Sequence, residues 1–341
     1  MDRNTFLALY SRLQNHPIFT NESHHSQTPP IVQLAVALDR LGHEGNGACI
    51  DRSMELWGVS HGTLVNFTCR VLIAIEDILS GQLQWPSPHE RRQIFEAFAE
   101  KGFPGCVGLI DGTLVELLQR PAFDGETYYD RKANYSINVQ VVCDHRRKIT
   151  FLYSGLPGSV QDVTTARRSS LWKFLGRERS AVFGREEYLL GDSGYVPMAH
   201  LVPAFRLSGT DRDKADFNNC LAHARVVNEH CIGVLKSRWH SLKQIRTQLK
   251  CRAENQIVIK WVKCCAILHN FMICARDDWT SADGNVEYAA PPTQNPTDCG
   301  IRPSVTGAAF RNQDWSLFLP LFELVEMEQD CLQLAAQVEK M

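Results

Sequence analysis

The sequence predicts an α/β fold: a mixed central sheet flanked by helices, preceded by an all-helical module. Three observations predict it. Short apolar, β-rich runs recur at 106–110, 137–143, 149–153 and 188–192, each bounded by turn residues. Longer stretches at 60–78, 218–239 and 254–273 carry apolar residues at helical spacing. The helical stretches come first and the strands later, interleaved with further helices, an order that suits a sheet covered by helices. With 341 residues and 44% hydrophobic content, the chain can bury one large core or a core with smaller modules.

In chain order, 1–30 is an N-terminal extension with a short helix at 4–13 and a polar loop before Pro29-Pro30. Between Ile31 and Leu41 the apolar residues fall on one helical face, and Gly42, Gly45 and Gly47 punctuate its end. A short helix then reaches Trp57, Gly58-Val59 breaks it, and Ser60 is suited to cap a second helix running to Ile78. Short helix, glycine turn and longer helix make 31–85 a helix-turn-helix-like module. In such a module the start of the second helix enters the major groove, which makes His61, Thr63, Asn66 and Arg70 its candidate DNA contacts. A plain helical hairpin fits the same pattern. Trp85-Pro86-Ser87-Pro88 reads as a linker into a third region, 86–275, where a helix at 90–101 precedes the first strand. Asp144 to Lys148 reads as a hairpin turn, and a helix begins at Asp162. In 276–341 the composition turns to Pro, Thr, Asn and Gly, predicting a linker at 279–306 and then an acidic amphipathic helix at 321–338.

The net charge of −2 hides an asymmetry: from Asp277 onward there are 11 acidic and 3 basic residues, −8, leaving about +6 for the rest. A basic body with an acidic tail is compatible with nucleic-acid binding, and equally with an ordinary charged surface. The 12 cysteines are scattered with no C-x-x-C pair, which reads as a reduced, intracellular chain. Cys220, His223, His230 and Cys231 fit no standard zinc spacing. No secretory signal opens the chain and no run approaches about 18 consecutive apolar residues, so no membrane partner is expected.

Two of the predicted strands end in a carboxylate, Val107-Gly108-Leu109-Ile110-Asp111 and Tyr188-Leu189-Leu190-Gly191-Asp192. Phosphodiester cleavage by two divalent ions needs carboxylates from distant segments converging on one point, and the ends of adjacent central strands are suitable places. Either Asp alone could instead open a turn. Glu229 sits mid-helix, with Arg225 and Lys236 at offsets that put all three on one face, and Gly233 leaves room beside it. Alone, that trio would be read as a surface salt-bridge ladder. Asp162 opens a helix and fits an N-cap or an auxiliary metal ligand; Lys132 and Asn134 fit a turn or a DNA contact. From Lys236 through Arg238 to Arg252 basic residues dominate, as phosphate contacts would require.

Five segments taken together resemble the PIF/Harbinger family of DDE transposases and their domesticated nuclease relatives: GLIDGTLVEL (108–117), YYDRKANYSINVQVVCD (128–144), GSVQDVTTARRSSL (158–171), LLGDSGY (189–195) and ARVVNEHCIGVLKSRW (224–239). They cover roughly 105–272, and the helical module resembles the family's N-terminal region. Where related insertion-sequence transposases often carry a Tyr three residues before the Arg of an R-x3-E-x6-K pattern, this chain has Ala222. The resemblance implies an RNase H-like core and a DNA endonuclease that hydrolyses phosphodiester bonds and can extend to strand transfer. Its catalytic carboxylates would be Asp111, Asp192 and Glu229, holding two Mg²⁺ or Mn²⁺ ions, with Asp162 as an auxiliary ligand. Arg225, Lys236 and Arg238 would hold phosphates. It further implies a Myb-like DNA-binding partner, residence in the nucleus and work as a homodimer, although no heptad run is present. The alternative is a domesticated DNA-binding scaffold whose chemistry is vestigial.

Overall fold

The structure, a computed structural model, describes residues 1–277 apart from 23, 176–181, 185, 199 and 207–211. The linker expected at 279–306 and the helix at 321–338 lie outside the described residues. The described residues fall into two compact units. One takes Met1–Trp85, Asp111–Trp172 and the described residues from Asn228 on; the other takes Pro86–Ile110 and Lys173–Val227.

In the first unit, α1 (Arg3–Leu13), α2 (Pro30–Gly42), α3 (Ile50–Trp57) and α4 (His61–Leu79) form a helical assembly. Gly58 adopts the left-handed conformation (φ 61°) that closes α3, and the Ser60 hydroxyl accepts from Thr63 N to open α4. The α4 residues Leu64, Phe67, Val71, Ile75 and Leu79 recur at helical spacing and are all buried. Val36, Leu64 and Phe67 form a local core with Val32, Ile50, Trp57 and Val59 packed against it. The two helices and glycine turn lie where the sequence puts them.

The strands β1 (Cys106–Leu117), β2 (Ser136–Cys143) and β3 (Ile149–Pro157) lie in the order β3-β2-β1, with β2 and β3 antiparallel and the short β6 (Gln244–Ile245) parallel to β1. The β2–β3 turn is held by Asp144, whose Oδ1 accepts from Arg146 N (2.7 Å) and Lys148 N (2.9 Å). One expectation fails here: β1 does not stop at Ile110. It runs on through Asp111 because Val115 and Leu117 alternate inward as a strand requires and Glu116 and Leu117 pair with Gln244 and Ile245. Gly112, read as punctuation, is a strand residue.

The helix expected from Asp162 to Leu171 is broken at Ser169 into α6 (Asp162–Arg168) and α7 (Ser170–Leu175). The long α8 (Arg212–Arg238) starts six residues earlier than expected and passes from the second unit into the first. α9 (Arg252–Cys274) is the central helix of the first unit, with Val262, Cys265, Ile267 and Leu268 fully buried. By length and composition its stretch Ala253–Cys274 could cross a membrane, but 67% of that window is buried inside the fold, as in a core helix. Asn270 ties α9 to the edge of β3. Its Oδ1 accepts from Ile149 N (2.8 Å), and its Nδ2 donates to Ile149 O and Gln82 O (2.7 Å each). A second buried polar group joins α8 to the β2–β3 turn: Cys143 Sγ donates to Asn228 Oδ1 (3.4 Å), and Arg147 O lies 3.2 Å from Cys231 Sγ and 3.0 Å from His269 Nε2.

In the second unit, α5 (Pro88–Ala99) opens with a capping box between Ser87 and Glu90. Its buried Arg91 is paired to Glu187 (2.6 Å). The first half of β1 lies parallel to β4 (Tyr188–Gly191), and β4 lies parallel to β5 (Leu201–Pro203). Phe217 of α8 packs edge-on against Phe103 and Phe205.

Removing Asn270 strands two buried backbone groups of Ile149 and a part-buried one of Gln82 at once. Asn270→Ala should lower unfolding free energy by roughly 2–4 kcal/mol, read as a shift in the denaturation midpoint; a midpoint equal to wild type would mean that this tie carries no stability.

Candidate functional site

Asp111, Asp162 and Glu229 belong to the first unit and Asp192 to the second. Asp111 is half-buried within β1, and its Oδ1 accepts from Gly112 N (2.8 Å). Glu229 is exposed on α8. Cys143 relates the two, through the charge of Asp111 on one side and a hydrogen bond beside Glu229 on the other. Burial pushes the Cys143 thiol well up, with the Cys231 thiol and the negative charges of Asp144 and Asp111 adding to it. Cys143 in turn bonds Asn228, the residue before Glu229. Asn228, fully buried, is what turns Glu229 outward on the neighbouring helical position.

Asp162 has another task. It is the first residue of α6, not its N-cap; Gln161 holds that position without a side-chain bond. The Asp162 Oδ1 accepts from Asn138 Nδ2 (2.9 Å), and its Cγ lies 2.6 Å from where a Gly112 Cβ would be. Neighbouring strand residues face opposite sides, so the carboxylate against Gly112 is on the face away from Asp111. The N-cap role gives way, and the carboxylate packs against residue 112 in a way that requires glycine there. Asp192 directly follows β4, half-buried, with its Oδ1 accepting from Gly194 N (3.0 Å) in the turn after the strand.

Beyond Asp111, the same strand borders a cavity of about 720 Å³ in the first unit, lined by Gly112, Thr113, Leu114, Glu116, Arg131, Lys132, Lys236, Lys243, Gln244, Glu44 and Gly45. Four cations face two carboxylates there. Glu44 is paired with Lys243 (2.8 Å), and Glu116 accepts from Asn134 Nδ2 (3.2 Å). The Lys236 ammonium donates to Leu114 O (2.6 Å). Burial, and then the nearby Lys132, push its pKa down to about 8.

The remaining sequence candidates divide. Lys132 and Lys236 reach the cavity. Asn134 spends its amide on Glu116. The Arg238 side chain is 5% exposed and is bound to Asp277 through the backbone O and the carboxylate. Arg225 is half-buried on α8 in the second unit. His61 and Asn66 are exposed and Arg70 is half-buried on α4. Sequence reading missed Asp130, Asn138 and Asn228; each is a buried polar residue inside a motif, a signal visible only once burial is known.

Residues 110–270 match the family described as DDE superfamily endonuclease. That segment, a little under half of the chain, is similar to a DDE superfamily endonuclease domain. Asp111, Asp162, Asp192 and Glu229 all lie within it. Among curated proteins, the chain is 26% identical over 257 residues to "Protein ALP1-like" of Arabidopsis thaliana, covering 72% of this chain and 61% of that protein. It is 27% identical over 271 residues to "Putative nuclease HARBI1" of Bos taurus (78% and 73%), and 26% identical over 249 residues to the human protein of that name (72% and 68%). The chain thus spans less than two thirds of the length of the ALP1-like relative. No solved structure matches.

The carboxylate oxygens of the DDE domain suit a hard divalent ion by donor type. Among the described residues, no group of three or more His, Cys, Asp or Glu side chains is already gathered around one point.

Lys236 gives a pH signature. Its folded pKa is near 8 against an ordinary 10.5, so between those values the unfolded chain holds more protons. Stability contributed at this site therefore rises with pH through that window and is at its lowest below about 8. Denaturation of Lys236→Met beside wild type, at pH 7.5 and pH 9.5, should show the wild type gaining relative to the variant at the higher pH; parallel behaviour would remove the depressed pKa.

Proposed function

We propose that this chain is a divalent-metal-dependent DNA endonuclease in which Asp111, Asp192 and Glu229 are the catalytic carboxylates. The observation that carries the proposal is a basic cavity lined, from Gly112 to Glu116, by residues of the strand that holds Asp111. A strand that carries a carboxylate and then lines a hole with ammonium and guanidinium groups suits a phosphodiester, whose charge the cations offset. The parallel register Leu109↔Leu190 supports it further, since Asp111 and Asp192 each follow that pair by two residues along their own segments. The antiparallel β2–β3 hairpin and the parallel β1, β4 and β5 support an RNase H-like reading of the core.

Two Mg²⁺ or Mn²⁺ ions held by the three carboxylates would activate the attacking water or 3′-hydroxyl and stabilise the leaving oxygen. The chain's own groups do the rest. Lys236, fixed by Leu114 O, and Lys132 at the cavity wall hold the strand's phosphates so that the scissile bond meets Asp111. A phosphate drawn to Lys236 also favours its protonated form. The α3–α4 hairpin reads DNA through His61, Asn66 and Arg70 in the same proposal, and strand transfer, a Myb-like partner, a homodimer and a nuclear location belong with it.

The test is nicking of supercoiled plasmid by the full chain in Mg²⁺ or Mn²⁺. Wild type should nick, EDTA should stop it, and Asp111→Ala, Asp192→Ala and Glu229→Ala should each lose about 100-fold or more, since the ions they hold supply several kcal/mol. Nicking that survives in Asp111→Ala or Asp192→Ala would overturn the assignment. DNA binding without nicking would favour the scaffold alternative.

A further inference from the structure

Between Tyr128, which ends a short 3-10 turn (Gly125–Tyr128), and strand β2 the chain makes a small, tightly built loop. Tyr129 and Tyr135 close it as an antiparallel bridge. Inside it Asp130 is 5% exposed and uses both oxygens: Oδ1 accepts from Lys132 N (2.8 Å) and Asn134 N (3.1 Å), and Oδ2 accepts from the Ser136 hydroxyl (2.5 Å). Two backbone bonds, Asp130 N to Asn134 O (2.8 Å) and Ala133 N to Asp130 O (3.1 Å), complete the frame, with Ala133 at φ 64°. Burial raises the Asp130 carboxyl, but these hydrogen bonds outweigh it and hold its pKa below the usual carboxylate range, so the frame is charged and intact at neutral pH.

What this frame displays is unusual for a packing loop. Tyr129 is 48% exposed. Its ring meets Tyr135 edge-on at 5.4 Å and 60°, a contact that fixes its orientation while leaving it open to solvent. Arg131 and Lys132, also exposed, follow at once and line the 720 Å³ cavity with Lys236 and Lys243. An oriented, uncovered aromatic ring two residues from a cluster of four cations is the combination that binds single-stranded nucleic acid: the ring stacks on a base, and the cations hold its phosphates.

We propose that the Tyr129–Tyr135 loop is a binding site for an unpaired nucleotide of the DNA strand, with Tyr129 stacking on the base and Arg131 and Lys132 holding the flanking phosphates. Duplex DNA keeps its bases stacked on one another and offers nothing to Tyr129, so the site selects forked, gapped or overhanging DNA. It deepens the endonuclease reading by naming the form of substrate and rests on that reading for its choice of DNA. Asp130 is a positioning residue: it touches no substrate and sets the backbone that aims Tyr129, Arg131 and Lys132.

The test uses the full chain in EDTA, so that binding is read without cleavage. Two DNAs of the same sequence, one a blunt duplex and one forked with 2-aminopurine as the first unpaired base, serve as probes. Wild type should quench the 2-aminopurine and bind the fork more tightly than the duplex. Tyr129→Ala should abolish the quench and weaken fork binding roughly 5- to 150-fold with the duplex affinity unchanged, whereas Tyr129→Phe should keep both. Asp130→Ala should weaken fork binding with its melting transition recorded alongside. Equal losses on fork and duplex in Tyr129→Ala, an unaltered quench, absence of DNA binding, or preference for single-stranded RNA over the fork would each overturn the proposal. Stacking without plasmid nicking would remove the endonuclease reading and leave this site standing; nicking without stacking would do the reverse.

Discussion

Gly112 lies against the Asp162 carboxylate with no room for a side chain, and that close approach governs much of what surrounds it. Because residue 112 is flat on that side, β1 can pass the start of α6 without bending and continue five residues beyond it to Leu117. The extension gives β6 a partner and puts Leu114 O where Lys236 finds it. Asn138 donates to Asp162 Oδ1, the oxygen that comes nearest Gly112, and Gln140, two residues on, donates to Asp162 O (2.7 Å), so α6 is clamped to β2 by two amides from one face of the strand. The Asp162 carboxylate is half-buried there, with its Oδ1 engaged by Asn138.

Asp111 belongs to the opposite face of the same strand. Strand alternation sends Asp111 away from α6, toward the side on which Cys143 meets Asn228 of α8. The helix position before Glu229 is thereby fixed in the core, which leaves Glu229 itself exposed. The division of labour between the two faces explains how one short motif, Asp111-Gly112, can serve both: the acid belongs to one side and the missing side chain to the other.

Much of the fold was legible because its signals are local. The α3–α4 hairpin announces itself through Gly58 and Ser60, and the β2–β3 turn through Asp144 and the charged residues after it. The length of β1 was not legible, since Gly112 reads as a turn residue until the neighbouring carboxylate that needs it is known. Of the candidate residues, Asp111, Asp192 and Glu229 stand out in the sequence by position, while the binding of Arg238 to Asp277 has no sequence signal. Asp130 went unnoticed for the same reason. A lone Asp in a basic loop looks like a surface residue, and only its burial and its three hydrogen bonds reveal it as the loop's organiser.

The cavity cations also say something about energetics. Lys132 and Lys236 repel each other enough to help lower the Lys236 pKa, and Glu116, the acid that would relieve it, also accepts from Asn134. A fold gains nothing from like charges at close range; they lower stability at neutral pH and persist where a ligand makes up the difference. An anion entering the cavity would be attracted by both ammonium groups and would lessen their mutual repulsion, so part of its binding free energy would come from strain already present in the empty protein. The same argument accounts for the Leu114 carbonyl. A neutral acceptor steadies Lys236 without neutralising it, whereas a carboxylate in that place would have stabilised the fold and left the lysine nothing to offer a phosphate.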